Sequence, residues 1–340
     1  MPAAPVLEII DPGLLLSVQD AGRPGLAREG VPRGGAGDRW SLAVANALVG
    51  NRPDDAALEA TLTGPTVRAL ASVTVGIAGT MAGRILETGA RVDPGMSVSL
   101  RPGETLVLDP ASGGARGYLA VPGGIDVPVV LGSRSTSLGG GFGGHEGRAL
   151  RAGDVVRAGP RSATTNRHTD ASAPPPARWP GLAAPPAVTP GSPVRLLPGP
   201  HGNGLPGSLD ALVAAAWSVS AASDRQGLRL VGPALPGDPT GELASHGILP
   251  GSIQLPPDRH PIVLLADTQP TGGYPVPAVV ITADLPRLGQ LAPGAAVQFA
   301  VATAQEARAA LADADRAFAE ALVELREAGR WDDLWRGAGA

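Results

Sequence analysis

The 340-residue chain contains neither cysteine nor lysine. The first absence removes thiol nucleophiles, disulfides and thiolate metal sites. The second removes any G-x-x-x-x-G-K-[ST] phosphate loop, any Schiff-base amine and any point of covalent biotin attachment. All 27 basic residues are therefore arginine, a bias that reads as GC-rich codon usage rather than physics. Five histidines (His145, His168, His201, His246, His260) are scattered without H-E-x-x-H spacing, and no G-x-S-x-G elbow occurs. A net charge of −4 argues against a nucleic-acid partner, which would favour a basic face. Nothing approaches the roughly 18 apolar residues of a membrane span. The N-terminus lacks the basic region of a secretory signal, and Glu8 and Asp11 interrupt its apolar run. The expectation is a soluble, cytoplasmic protein with no membrane or nucleic-acid partner.

Aromatics are also scarce, at 3%, while Gly 48 and Pro 36 are high, a composition that verges on disorder. The 43% of hydrophobic residues decides against it, because Val, Leu and Ile recur in short alternating runs. Val6–Ile10 and Leu14–Val18 flank an Asp11-Pro12-Gly13 turn; Val73, Val75 and Ile77 alternate, as do Met96, Val98 and Leu100. Short strands with turn residues between them predict an antiparallel barrel or sandwich. Residues 161–192 are rich in Ser, Thr, Pro and Ala and read as a linker, so the expected lobes are 1–160 and 193–303. Ala295–Ala302 reads as one strand, and Leu209–Ala216 as a short helix. Thr303 and Glu306 form a capping box for a helix over 304–328, which Gly329 should stop.

Polar, glycine-rich stretches punctuate this β pattern, and they hold the candidate site. The central one runs from Ala266 to Leu291, where the strand Pro261–Leu265 enters Asp267, Thr268, Gln269, Pro270, Thr271, Gly272, Gly273 and Tyr274. Such a loop presents a carboxylate, an amide and backbone N–H groups to a small molecule; an ordinary hairpin is the alternative. Gln19–Gly37 is a second, with Asp20, Arg23 and Arg33, before a helix near Trp40–Val49 that Asp38 can cap. Ser133, Arg134, Ser135 and Thr136 gather hydroxyls around a guanidinium, suiting an anion contact or a surface turn. Asp224 and Arg225 precede Gly227 in a third polar turn. Gly139-x-Gly141-x-x-Gly144 satisfies the dinucleotide fingerprint only formally, since no helix pattern follows it.

These blocks carry a resemblance. ADTQPTGGYP and ADLPRLGQLAPG, preceded in order by SVQDAGRPG, GVPRGGAGD, GYLAVPGGIDVP, VLGSRST, SDRQGLRL and ILPGSIQLP, resemble the family of C-type subunits of 5-oxoprolinase. That family is also called the biotin-dependent carboxyltransferase, or allophanate hydrolase subunit 2, family, and includes an antagonist of a sporulation-kinase inhibitor. The resemblance implies a mainly β fold of two cyclophilin-like β-barrel lobes with short helices and a C-terminal α-helix. It implies a subunit of an ATP-dependent hydrolase that opens the 5-oxoproline lactam to glutamate. A B-type subunit of related fold and an A-type subunit would be its partners, with ATP, and Mg with it, used in the assembly, and no covalently bound biotin. The alternatives are a carboxyltransferase subunit acting on a urea-like substrate and a non-catalytic antagonist of a kinase inhibitor. On this resemblance Asp20, Arg23, Asp224, Arg225, Asp267, Gln269 and Thr271 are expected to carry chemistry. Arg134, Ser135, Gln254, Gly272, Gly273 and Tyr274 are expected to bind substrate, with no metal site. Pro270 and His246 stand where threonine and glutamate are usual, which bears on the substrate more than on the fold.

Overall fold

The computed structural model describes residues 4–160, 191–237 and 243–337, with side chains up to residue 324. The expected linker, 161–192, falls almost wholly outside them. Two compact units divide the chain: Met1–Gly22, Arg39–Pro185 and Arg316–Ala340 form one, Arg23–Asp38 with Pro186–Asp315 the other. The polar segment Arg23–Asp38 therefore belongs to the second unit although it lies early in the chain.

The first unit is built from β1 (Ala4–Asp11), β2 (Leu15–Gln19), β3 (Ala57–Thr61), β4 (Thr66–Ala69), β5 (Val73–Gly79), β6 (Gly83–Ile85), β7 (Arg91–Val92), β8 (Met96–Leu100), β9 (Thr105–Leu108), β10 (Arg116–Ala120) and β11 (Val155–Ala158). They form two sheets, in the orders β11-β1-β4-β9-β6-β7 and β2-β3-β10-β5-β8. Leu7, Ile9, Val67 and Leu106 of one sheet and Leu16, Leu58, Ile77 and Leu119 of the other share one buried core, as alternating strands require. At the β1–β2 corner, Asp11 accepts from the N–H of Gly13, whose φ of 67° fits glycine. Helix α1 (Arg39–Ala47) packs on β5, where Gly76 leaves room for the Ala45 carbonyl; a Cβ there would strike it.

The second unit contains β12 (Val194–Pro198), β13 (Trp217–Val219), β14 (Gly227–Val231), β15 (His246–Gly247), β16 (Ser252–Gln254), β17 (Ile262–Leu264), β18 (Thr271–Gly272), β19 (Ala278–Val280), β20 (Ala296–Val297) and β21 (Phe299–Val301), with helices α2 (Ser208–Ala214) and α3 (Leu285–Gly289). Eight strands run β20-β13-β14-β17-β16-β19-β12-β21, and β15 and β18 form a separate ribbon. The strand expected over Ala295–Ala302 breaks at Gln298: its first half pairs with β13, its second with β12. The two ends of the sheet order are thus consecutive in the chain, and the sheet is a nearly closed barrel around Leu196, Leu230, Ile253, Val263 and Phe299. The fold is mainly β, as expected.

Helix α4 (Ala304–Gly337) begins at the expected capping box: the Thr303 N–H donates to Glu306 at 2.7 Å and the Glu306 N–H to Thr303 Oγ1 at 3.2 Å. It does not stop at Gly329 but runs to Gly337, because one glycine costs a helix only about 1 kcal/mol against alanine. Within the first unit, Phe318 meets Trp40 edge to face, 5.0 Å between centroids. No described helix is long and apolar enough to cross a membrane.

Candidate functional site

The chemistry-bearing residues fall into two groups, one in each unit. In the first, Asp20 follows β2 and is nearly buried. The Ser133 hydroxyl donates to its Oδ1 at 2.7 Å, the Ser135 hydroxyl donates there too, and the Gly22 N–H does so at 2.7 Å. The Arg134 N–H donates to Oδ2 at 2.5 Å. The hydroxyls of Ser133 and Ser135 therefore serve the Asp20 carboxylate, not the guanidinium beside them, where the sequence reading groups them around Arg134. Thr136 is turned the other way, its hydroxyl donating to the Val18 carbonyl at 3.0 Å. Arg134 Nε donates to the Val127 carbonyl at 3.0 Å, and its guanidinium lies 3.6 Å from Asp126 with the side chain 39% exposed. Asp20, Gly22, Ser133, Arg134, Arg52 and Asp55 line a polar recess of about 140 Å³. It has room for a few waters or a small polar group. A larger cavity of about 380 Å³ in the same unit is walled mainly by apolar groups, among them Val18, Ile125, Phe142 and Leu150. None of the expected site residues lines it.

The second group is centred on Arg225, nearly buried ahead of β14. Its Nε donates to Asp267 Oδ2 at 2.8 Å and its Nη2 to Oδ1 at 3.0 Å, a two-pronged pair. Nη2 also donates to the Gly35 carbonyl at 2.7 Å. The Gly34 N–H donates to the Ala266 carbonyl at 3.0 Å, and the Asp267 N–H to the Arg225 carbonyl at 3.1 Å. Two polar glycine stretches that the sequence left unconnected, GVPRGGAGD and ADTQPTGGYP, are thereby joined around one ion pair. Arg23, also nearly buried, donates its N–H to the Arg33 carbonyl at 2.7 Å within the same unit. Asp224 is exposed and closes its own turn by accepting from the N–H groups of Gln226 and Gly227.

Beyond Asp267 the loop is not a plain hairpin. Thr271 and Gly272 form β18 and pair with β15, a strand the sequence pattern did not signal. Gln269, Thr271, Gly273 and Tyr274 are exposed, whereas Gln254 is buried against Gly272. Asp284 of the DLPRL turn, buried at 2% exposure, is structural. It takes Arg195 Nη2 at 2.6 Å, Nε at 3.2 Å and the Arg195 N–H at 2.7 Å, which ties the turn to β12. Sequence reasoning missed His201, whose ring lies against His246 with centroids 4.6 Å apart. The two lie 45 positions apart without motif spacing, and the departure at His246 was the one signal available.

Among the described residues, no group of three or more His, Asp or Glu side chains is placed to hold a metal ion. Each unit offers its own set: the second an exposed amide and hydroxyl on a glycine loop, the first a half-exposed guanidinium, and each a carboxylate whose oxygens are held by donors. Either set by itself can bind and orient a polar small molecule and stabilise developing negative charge.

Comparison with known proteins agrees with these blocks. The family model for the carboxyltransferase domain, subdomain A and B, matches residues 29–301. The chain is 38% identical over 321 residues to the C-type subunit of 5-oxoprolinase from Escherichia coli (strain K12), covering 94% of this chain and 99% of that protein. It is 33% identical over 355 residues to the urea amidolyase of Lachancea kluyveri, covering 96% of this chain but 18% of that protein. Among solved structures, the urea amidolyase of K. lactis superposes with a TM-score of 0.79 at 30% identity, over 94% of this chain and 20% of that one.

Proposed function

The chain belongs to the carboxyltransferase-domain family, and from that premise we propose that it is the C-type subunit of an ATP-dependent 5-oxoprolinase. The observation that carries this reading is two-way coverage: it aligns with nearly all of a 5-oxoprolinase C-type subunit, but with under a fifth of a urea amidolyase. The reaction is hydrolysis of a lactam to glutamate, and the assembly is completed by a B-type subunit of related fold and an A-type subunit.

The lactam carbonyl is an unactivated amide, and transfer of a phosphoryl group from ATP to its oxygen makes the carbon a better electrophile for water. Water adds to that carbon, the ring C–N bond opens and phosphate leaves, so negative charge builds on the departing phosphate oxygens, and positioned donors are what lower that barrier. This chain supplies them from Gln269, Thr271 and the Gly272–Gly273 backbone, on the loop that the Arg225–Asp267 pair anchors within the second unit. Without lysine the chain has no G-x-x-x-x-G-K-[ST] phosphate loop of its own. Binding of ATP and its magnesium is accordingly assigned to the partner subunits.

The purified chain should show no 5-oxoproline-dependent ATP hydrolysis. Co-expression with the B-type subunit should give a stable complex on size exclusion, and adding the A-type subunit should give activity that survives excess avidin. Full turnover by this polypeptide alone, verified free of other subunits by mass spectrometry, overturns the reading. Inhibition by avidin would instead favour the second reading, a carboxyltransferase subunit using biotin supplied in trans, which the urea amidolyase likeness supports.

A further inference from the structure

Three polar side chains of the second unit meet at the β15–β18 ribbon. In that ribbon His246 pairs with Gly272 and Gly247 with Thr271. Gly272 lies on the Gln254 amide: a Cβ there would stand 2.5 Å from Gln254 Nε2 and 3.1 Å from Ile248. Gln254 is 3% exposed, and its Nε2 has no hydrogen-bond partner among the described residues. On the opposite strand, His246 Nε2 is also buried and without a partner among them.

The protons on the two rings can be placed from their neighbours. His201 Nδ1 lies 3.1 Å from the Val276 N–H, which can only donate, so Nδ1 is bare and the proton sits on Nε2. Burial chiefly holds His201 below the ordinary histidine value, in keeping with a neutral ring. In its neutral form His246 carries the proton on Nδ1, 3.4 Å from the Ala244 carbonyl, which can only accept, and Nε2 then presents a lone pair. One buried donor, the Gln254 amide, and one buried acceptor, His246 Nε2, thus flank Gly272. Leaving such groups unsatisfied is costly. Gly272, which lies over the Gln254 amide, and His246 both belong to a ribbon of two residues per strand, too short to be stable by itself.

We propose that this ribbon is the movable cover of a subsite for a small cyclic cis-amide, a lactam or a cyclic urea. Gln254 donates to its carbonyl oxygen and His246 Nε2 accepts from its N–H. Ring closure forces such an amide cis, so that acceptor and donor lie side by side on one edge. A carboxylate offers acceptors only, and an N-alkylated lactam lacks the N–H, so neither satisfies both groups. The inference rests on the oxoprolinase reading only for which cis-amide is the substrate.

The test is histidine NMR on the full-length chain labelled at its imidazoles, with signals assigned from His201→Gln and His246→Gln. 5-Oxoproline or 2-imidazolidinone should shift the His246 signal, and N-methyl-2-pyrrolidone should do so at least roughly tenfold more weakly. Gln254→Glu, which turns the donor into an acceptor, should weaken binding by about tenfold or more. His246→Leu should do the same, whereas His246→Glu, which keeps an acceptor, should retain binding. An unmoved His246 signal with both cis-amides, or an equal response to the N-methyl compound, overturns the proposal. A response to 2-imidazolidinone alone upholds the subsite while removing the oxoprolinase reading. In the reconstituted complex, 5-oxoproline-dependent ATP hydrolysis with KM unchanged in Gln254→Glu and His246→Leu does the reverse.

Discussion

Asp267 and Asp20 look alike in the sequence, each an acid beside a glycine turn, and the structure gives both a fixed set of donors. The sequence suggests that Asp267→Asn would keep the fold and lose turnover. The Arg225 pairing changes the first half of that expectation, because an amide cannot neutralise a guanidinium whose side chain is 5% exposed. Breaking one side of a buried pair costs about 3–5 kcal/mol. Asp267→Asn should therefore lower unfolding free energy by roughly 3 kcal/mol or more in urea titrations, alongside any loss of activity; unchanged stability would show that the pair is not buried in solution. Asp20→Asn should also not be silent. Its oxygens take four donors, and an NH₂ group cannot accept from them, so about 1–3 kcal/mol should be lost in the same titrations. The identities of these residues were legible in the sequence. Their partners were not, since Gly35 and Arg225 are separated by 190 positions and no local pattern encodes that meeting.

Elements were easier to read than partners wherever periodicity was long. The alternating runs of β5 and β8 and the capped start of α4 stand where they were expected, because in β5 Val73, Val75 and Ile77 fill the core on one face while α1 packs over Gly76 on the other. Two-residue strands such as β15 and β18 leave no periodic trace, and the Gln298 break turns on barrel closure rather than on propensity. The turn before β11 gives an element-scale prediction. Arg148 donates to Asp154 through Nη1 at 2.6 Å and Nη2 at 2.9 Å, and the Arg151 N–H adds 2.8 Å. The side-chain bond to Arg148 chiefly holds the Asp154 carboxyl down to about 2. A depressed carboxylate stabilises the fold above its unfolded value, near 3.8, and that contribution is lost as pH falls through about 2. Stability should drop by about 2 kcal/mol between pH 5 and pH 2 on this account, and Asp154→Asn should flatten that part of the urea-derived pH profile. At the other end, Thr303→Ala should cost α4 roughly 1 kcal/mol, read by hydrogen exchange in its first turn.

At the scale of the molecule, the two β-rich halves were visible in the turn spacing and family blocks. The contribution of an early segment to the later unit was not, because Arg23–Asp38 carries no core pattern of its own and is held by backbone groups. A fragment from Pro186 onward should accordingly be less stable than the same fragment with residues 23–38 fused ahead of it, by several degrees in thermal melting; equal melting temperatures would show that the early segment adds nothing. The same feature sets a clock on biosynthesis. Gly35 leaves the ribosome 190 residues before Arg225, which at roughly 5–20 residues per second is about 10–40 s of waiting. Through that interval the glycine-rich segment has no Arg225 to bond, so the second unit can close only late in synthesis. Where the ribosome pauses along this message should then alter how much active protein is made, with no change in the amino-acid sequence.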